Sequence, residues 1–339
     1  MKKLLLSFFL GGLLTATSFA QDSADKSLYD NGKAFMRQGD YENALMVLKR
    51  AAAQDPSNLN IKRDIVFTYY LSRDYSGAIA EGKKLIDQPG ADEFSFQTLG
   101  LAYKAIAEYK ECEKLYKKAI KAYPNSGVLY NEFGELYAMQ QKLDEAIQYW
   151  EKGIEVAPNY STNYYNAARY YDQKGTKTIW VLLYGETFIN IESLSDKTSM
   201  MKKILTDAYK SLFLSPDKLK TIAKQSNGFA QAVAETLSKQ SDAAGDGVTA
   251  ESLTVIRSKF IAEWFSKYAT QYPYRLFDHQ RQLIMDNSFD AYNEWVFVSA
   301  TSPDTYTTWV ESHKESNDKF MRLLRNRVFK IPTGQYYAH

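Results

Sequence analysis

An all-α repeat solenoid is the fold class predicted for the first half of this 339-residue chain, and three observations predict it. The first is a 34-residue period that begins near Asp25 and holds small, aromatic and apolar residues in register. Gly32, Phe35, Gly39, Tyr41, Ala44, Leu48, Ala51 and Pro56 recur as Gly100, Tyr103, Ala107, Tyr109, Cys112, Tyr116, Ala119 and Pro124. They recur again as Gly134, Tyr137, Gln141, Leu143, Ala146, Trp150, Gly153 and Pro158. The copy between supplies Val66, Tyr69, Arg73, Tyr75, Ala78, Gly82 and Leu85. The second observation is where the small residues fall. A small side chain in the first half of each unit and Ala or Cys in the second suit the closest approach of two antiparallel helices, where bulk would force them apart. The third is the proline near the end of the units, which has no N–H and cannot continue a helix.

This spacing resembles that of the tetratricopeptide repeat (TPR), a helix-turn-helix unit of 34 residues, over about 25–194. The resemblance implies a curved solenoid of about five units whose concave face is lined by the first helix of each pair. The fifth copy, Ser161 to Leu194, keeps Ala168, Tyr171, Gly175 and Tyr184 but carries Trp180 where Ala belongs, so it is expected to contact something different. By the family's pattern the groove is lined by Tyr29, Lys33 and Arg37, then by Arg63, Phe67 and Tyr70. Gln97, Leu101 and Lys104 follow, then Asn131 and Glu135, and finally Tyr165, Asn166 and Arg169. Aromatic rings beside Arg, Lys and Asn suit an extended peptide. Some TPR domains grip a C-terminal carboxylate with Lys, Asn and Arg. The matching positions here are Tyr29, Lys33, Asp64, Phe94 and Thr98, of which only Lys33 is cationic, so that clamp is not expected.

Ahead of the array, Lys2 and Lys3, an apolar run from Leu4 to Leu14, and Ser18-Phe19-Ala20 before Gln21 read as a secretory signal peptide over 1–20. The run is too short to span a bilayer, and no Cys near Gln21 offers a lipoprotein anchor. The expected location is a bacterial periplasm. Cys112 is the only cysteine, which excludes an intramolecular disulfide, and its register matches Ala44, Ala78 and Ala146, so it reads as a small core residue.

The expected domains are the solenoid over 21–194 and a helical C-terminal extension or capping domain over 195–339. Beyond Leu194 the 34-residue register fades while helical periodicity persists. Met201, Ile204, Leu205, Tyr209, Leu212 and Phe213 form one stripe, and Ser215-Pro216 reads as a helix start. Gln240 to Val248 is the best candidate for a flexible loop. A long helix should then carry Leu253, Ile256, Phe260, Ile261, Trp264, Phe265 and Tyr268. Helices around Leu276 to Met285 and Phe289 to Val298 follow, and Ser302-Pro303 should start a last helix running through Phe320 and Leu324 to a turn-like tail at Ile331-Pro332-Thr333-Gly334.

Residues with catalytic potential are sparse. Two His lie inside the chain, in Asp278-His279 and Glu311-x-His313, and neither has the two-His spacing of a zinc hydrolase. Asp290 and Glu294 fall one helical turn apart, a spacing a solvated face also produces. No Gly-rich phosphate loop and no Gly-x-Ser-x-Gly elbow occurs. No catalytic residue, metal or cofactor is therefore expected. A formal net charge of +2 gives no broad basic surface for nucleic acid. The runs Tyr184 to Glu192 and Phe289 to Phe297 resemble segments of exported TPR proteins of the Bacteroidetes, which implies an envelope location. The reading is an exported adaptor for a protein or peptide of the cell envelope, with no integral membrane span. The alternatives are an enzyme with its site in the C-terminal helices and a glycan-binding module that uses Tyr70, Tyr165, Trp264 or Trp295.

Overall fold

The computed structural model describes residues 28–213, 215–226, 228–245 and 247–337, so the expected signal peptide over 1–20 lies outside the described residues. Among the described residues every regular element is a helix. They fall into two compact units, one ending at Pro124 and one beginning at Asn125.

The first unit holds three helix pairs. They are α1 (28–38) with α2 (Tyr41–Gln54), α3 (Leu59–Leu71) with α4 (Tyr75–Ile86), and α5 (Glu93–Ala105) with α6 (Tyr109–Ala122). Side-chain caps set the starts of α2 to α5: Asp40, Asn58, Asp74 and Asp92 each accept from a backbone N–H in the first turn of the helix that follows. Ala44, Ala78 and Cys112 are fully buried at the pair contacts, which places the lone cysteine in the core. Gly100 is required by its neighbour, because a Cβ there would meet the Tyr116 hydroxyl across the α5/α6 contact.

The turn between paired helices repeats as faithfully as the core does. Gly39, Arg73, Ala107, Gln141 and Gly175 all have positive φ, between 57° and 78°. They sit 34 residues apart in sequence. Glycine adopts this left-handed conformation freely, whereas Arg73, Ala107 and Gln141 hold it at a cost of about 1–2 kcal/mol each. Repeat geometry therefore overrides local preference at three of the five turns.

The second unit opens with two more pairs, α7 (Gly127–Met139) with α8 (Leu143–Val156) and α9 (Ser161–Lys174) with α10 (Thr178–Ile191). It continues through α11 (Asp196–Phe213), α12 (Pro216–Gln225), α13 (Gly228–Ser238), α14 (Ala250–Lys267), α15 (Arg275–Met285) and α16 (Phe289–Phe297). Helix α10 explains the unusual fifth copy. It is buried from Ile179 to Asn190 and packs against α9, α11, α13 and α15, so Trp180 and Tyr184 fill a core instead of facing a sixth repeat. The expected boundary near Leu194 falls between α10 and α11, which pack on each other within this unit.

Two expectations are corrected. The segment read as a flexible loop contains a 3-10 turn at Ser241–Ala244, packed against α14. The single last helix is two, α17 (Pro303–Ser312) and α18 (Lys314–Asn326), with the break at His313. No Pro or Gly marks that break; Trp309 stacks on the His313 ring at 4.6 Å, and Phe320 of α18 turns into the core. The tail beyond α18 is extended, with a turn at Gly334.

Candidate functional site

In the first unit the starts of α1, α3 and α5 bound an open recess of about 320 Å³. Tyr29, Arg63, Phe67 and Gln97, expected in the groove, line it, and so do Asn60, Asp64, Phe94 and Thr98. Spacing explains the alignment, since residues four apart on a helix share a face. Four of the five positions that correspond to a carboxylate clamp, Tyr29, Asp64, Phe94 and Thr98, thus line the recess, and they include an acid and two aromatic rings.

Charge in the recess is distributed unevenly. The Arg63 guanidinium donates to both Asp92 oxygens, at 2.9 and 3.1 Å, and also to Asn60. It lies 5.6 Å from the Phe94 ring centre. Lys33 pairs with Asp30 at 2.9 Å while covering the Tyr29 ring. Asp64 is held differently: Tyr29 Oη donates to Oδ2 at 2.8 Å. Burial pushes the Asp64 carboxyl above its ordinary range, only partly offset by the Tyr29 hydrogen bond and the charges of Lys33 and Arg63. Burial, then the hydrogen bond to Asp64, raise the Tyr29 phenol in turn.

The remaining expected groove residues of this unit do not line the recess. Arg37 is exposed at the end of α1. Tyr70 is half-buried, stacked on Phe67 at 5.9 Å and tilted against Tyr75. Leu101 is half-buried, and Lys104, expected to offer its charge, is buried.

In the second unit Asn131, Glu135 and Asn166 form a short amide ladder on α7 and α9. Asn131 donates to Glu135 at 3.1 Å and accepts from Asn166 at 2.9 Å. Tyr165 is buried against Phe188, with its hydroxyl towards Met200 Sδ, and Arg169 lies over its ring at 5.3 Å. Helix α11, which follows the repeats, supplies the cover through Met200 and through Lys197 above the same ring. Tyr165 therefore presents no free face. Trp264 and Trp295 are also buried, so three of the four rings suggested for sugar stacking cannot serve.

A polar cluster that sequence reasoning missed lies in the core of the second unit. Glu186 of α10 and Arg257 of α14 form an ion pair at 2% exposure. Gln280 and Tyr292 donate to Glu186 Oε1 at 2.8 and 2.7 Å, and Asn190 donates to the Tyr292 hydroxyl at 2.7 Å. Asn293 accepts from Arg257, and the rings of Tyr209, Phe289, Tyr292 and Phe297 surround the guanidinium at 5.1–5.7 Å. Burial works against the arginine's charge, but Glu186 more than offsets it and holds the guanidinium above its ordinary range. The adjoining cavity, about 20 Å³, is the size of one water molecule, so the cluster acts as a structural pin. The signal was present: Glu186 interrupts the apolar run of α10, and Arg257 interrupts the stripe of α14. Residues of the runs 184–192 and 289–297 meet in this cluster.

Among the described residues no group of three or more His, Cys, Asp or Glu is placed to hold a metal, and no helix is long and apolar enough to cross a membrane. Burial brings the His279 imidazole down to about 3, with Arg327, Arg275 and Arg257 acting in the same direction. Asp290 and Glu294 lie on α16; burial raises the Glu294 carboxyl, with nearby His313 opposing and Asp290 adding to the shift.

Comparison with known proteins concerns the repeats. Tetratricopeptide repeat families match residues 35–93, 95–126 and 115–148. Human tetratricopeptide repeat protein 21B is 26% identical over 125 residues, which is 37% of this chain; the match spans a tenth of that protein's length. Among solved structures, the TPR protein TTC0263 of Thermus thermophilus covers 53% of this chain and 98% of its own, at 16% identity and a TM-score of 0.45. Pseudomonas aeruginosa pilF covers 62% and 96%, at 14% identity and a TM-score of 0.45. At those scores the fold rests on the helix pairs themselves. Family matches from 35 to 148 and a 34-residue helix-turn-helix register identify that stretch of the chain as tetratricopeptide repeats.

Proposed function

We propose that this protein is an exported, non-catalytic adaptor of the bacterial cell envelope that binds an extended peptide segment of a partner in the recess of α1, α3 and α5. The observation that carries the reading is Asp64, a half-buried carboxylate that accepts from the Tyr29 hydroxyl, in a recess walled by Phe67 and Phe94. Arg63 and Lys33 are already paired with Asp92 and Asp30, so the unmatched charge of the recess is negative. Such a site favours a lysine or arginine side chain, whose cation can meet Asp64 and the aromatic faces together. A free C-terminal carboxylate would meet repulsion there.

Fluorescence anisotropy of the full chain with peptide pairs that differ only in lysine against acetyl-lysine tests this. Lysine peptides are expected to bind about tenfold more tightly, and Asp64→Asn to erase the preference while leaving helicity unchanged. Equal binding of the two peptides would remove the charge argument. Export rests on Lys2, Lys3, Leu4 to Leu14 and Ser18-Phe19-Ala20, and it is tested separately. A periplasmic product beginning at Gln21 supports it, and a cytosolic product retaining Met1 contradicts it.

A further inference from the structure

In the unit that begins at Asn125, residues 327–337 lie extended against a groove of the same unit. After α18 the backbone leaves the helix at Arg327 and passes through Val328, which is 75% exposed. Phe329 and Ile331 then bury their side chains, while Lys330 between them points to solvent, the alternation of an extended strand. Phe329 packs edge-on against His279 at 5.4 Å and beneath Arg275 at 5.2 Å. Tyr337 stacks on Phe229 at 4.3 Å, and its hydroxyl donates to the Pro273 carbonyl.

The main chain of the tail is held by side chains. The Asn159 amide donates to the Ile331 carbonyl at 3.0 Å and accepts from the Ile331 N–H at 2.8 Å, a two-point clamp between residues 172 apart in sequence. Arg275 Nε donates to the Lys330 carbonyl at 3.2 Å. An amide side chain that satisfies one residue's N–H and C=O together does so for an extended chain of any sequence, and the pockets for alternate side chains then add selectivity. Ile154, Tyr164, Trp180 and Tyr184 of α8, α9 and α10 belong to the same site. Only about 10 Å³ remains unfilled around the tail, so segment and groove are matched in shape.

We infer that this groove is a peptide-binding site closed in cis by residues 327–337. Its partner in trans is an extended segment of the same chemistry, with an aromatic residue, one intervening residue and an aliphatic residue. The tail is a strap that competes with that partner, and Asn159 is the clamp that either segment must engage. This site shares no residue with the recess around Asp64 and does not depend on it.

The test uses the full chain and a fluorescein-labelled synthetic peptide with the sequence of residues 327–337. Phe329→Ala with Ile331→Ala removes two of the strap's three anchors, leaving Tyr337, and leaves the walls supplied by α8, α9 and α10 intact. That variant should bind the peptide at least tenfold more tightly than the wild type, and adding Asn159→Ala should return binding to the wild-type level. Equal binding by wild type and double variant, or no binding by a folded double variant, would overturn the inference. A double variant that fails to fold would overturn it too, because the segment would then be an inseparable part of the core. Hydrogen exchange on the unmodified protein gives an independent reading. The Ile331 amide should exchange through local opening at least a hundredfold faster than the amides of α9, and equal rates would contradict a detachable strap. A concentration-dependent dimer lost in the double variant would assign the groove to a second copy's tail and overturn the proposed partner.

Discussion

In the unit that ends at Pro124, the ion pairs described lie at the surface or at the rim of the recess, and its core is held by repeat register: Ala44, Ala78, Cys112 and Gly100 at helix contacts. In the unit that begins at Asn125, the core after the last repeat is aromatic and closes around a buried arginine and glutamate. The contrast follows from what each part must cover. A repeat hides its apolar face against the next copy, so the same small residues serve each time. A helix that ends the array, such as α10, meets several unlike neighbours and needs a particular set of partners to fix one arrangement. The two proposed peptide sites divide likewise, an open recess in the first unit and a groove filled by residues 327–337 in the second.

The largest effect that could break this comparison is expected at Arg257. Arg257→Met leaves Glu186 buried without its cation and should destabilise the protein by about 3–5 kcal/mol in denaturant unfolding. A loss below about 1 kcal/mol would mean the pair contributes no more than a surface bridge. In the repeat unit the comparable change is Gly100→Leu, which drives a side chain into Tyr116 and should cost about 1–3 kcal/mol. An unchanged midpoint would show that α5 and α6 can separate freely.

Titration sharpens the contrast further. Lys202 of α11 is buried over the Trp295 ring at 3.6 Å, donates to Ser299, and is brought down to about 7 by loss of water contact. The unfolded chain holds a proton on this lysine up to about 10.4, so between about 7 and that value it binds more protons than the folded chain. Stability should therefore rise with pH across this window, by at most about 1.4 kcal/mol per pH unit, and Lys202→Met should flatten the slope. His279, depressed to about 3, adds a loss of stability as pH falls from about 6.5 towards 3. A flat profile in both windows would contradict the burial of both groups.

Smaller effects belong to the repeat turns and the surface. Ala107→Gly relieves a left-handed alanine and should raise stability by about 0.5–1 kcal/mol, whereas the same change at Ala102, inside α5, should lower it by at least about as much. Lys114→Ala breaks an exposed pair with Glu111 and should leave the denaturation midpoint unchanged.

How much was legible in the sequence also differs between the regions. The period located the helix pairs, the small contact residues and Cys112, because each repeat contacts neighbours at fixed sequence offsets. It also brought Tyr29, Arg63, Phe67 and Gln97 to one recess. It could not show that Asp92, the cap of another helix, would neutralise Arg63, nor that Lys104 would be buried, since both depend on side-chain packing between repeats. In the C-terminal unit the helices were legible from their apolar stripes, but Glu186, Arg257 and Gln280 come from three helices with no common spacing. Nothing local joined Asn159 to Ile331, and a tail containing Pro332 and Gly334 read as a simple turn. The break at His313 was likewise set by packing of α18 rather than by a helix-breaking residue.

The most direct test of the adaptor reading places a photo-crosslinking residue at Phe94, on the rim of the recess, in the full chain expressed in its native host. The account predicts one discrete adduct that maps to an extended partner segment carrying lysine or arginine, is weakened by Asp64→Asn, and is absent when the probe stands at Lys117 on the outer face of α6. No adduct at Phe94, or the same set of adducts from both positions, would contradict a dedicated site in that recess.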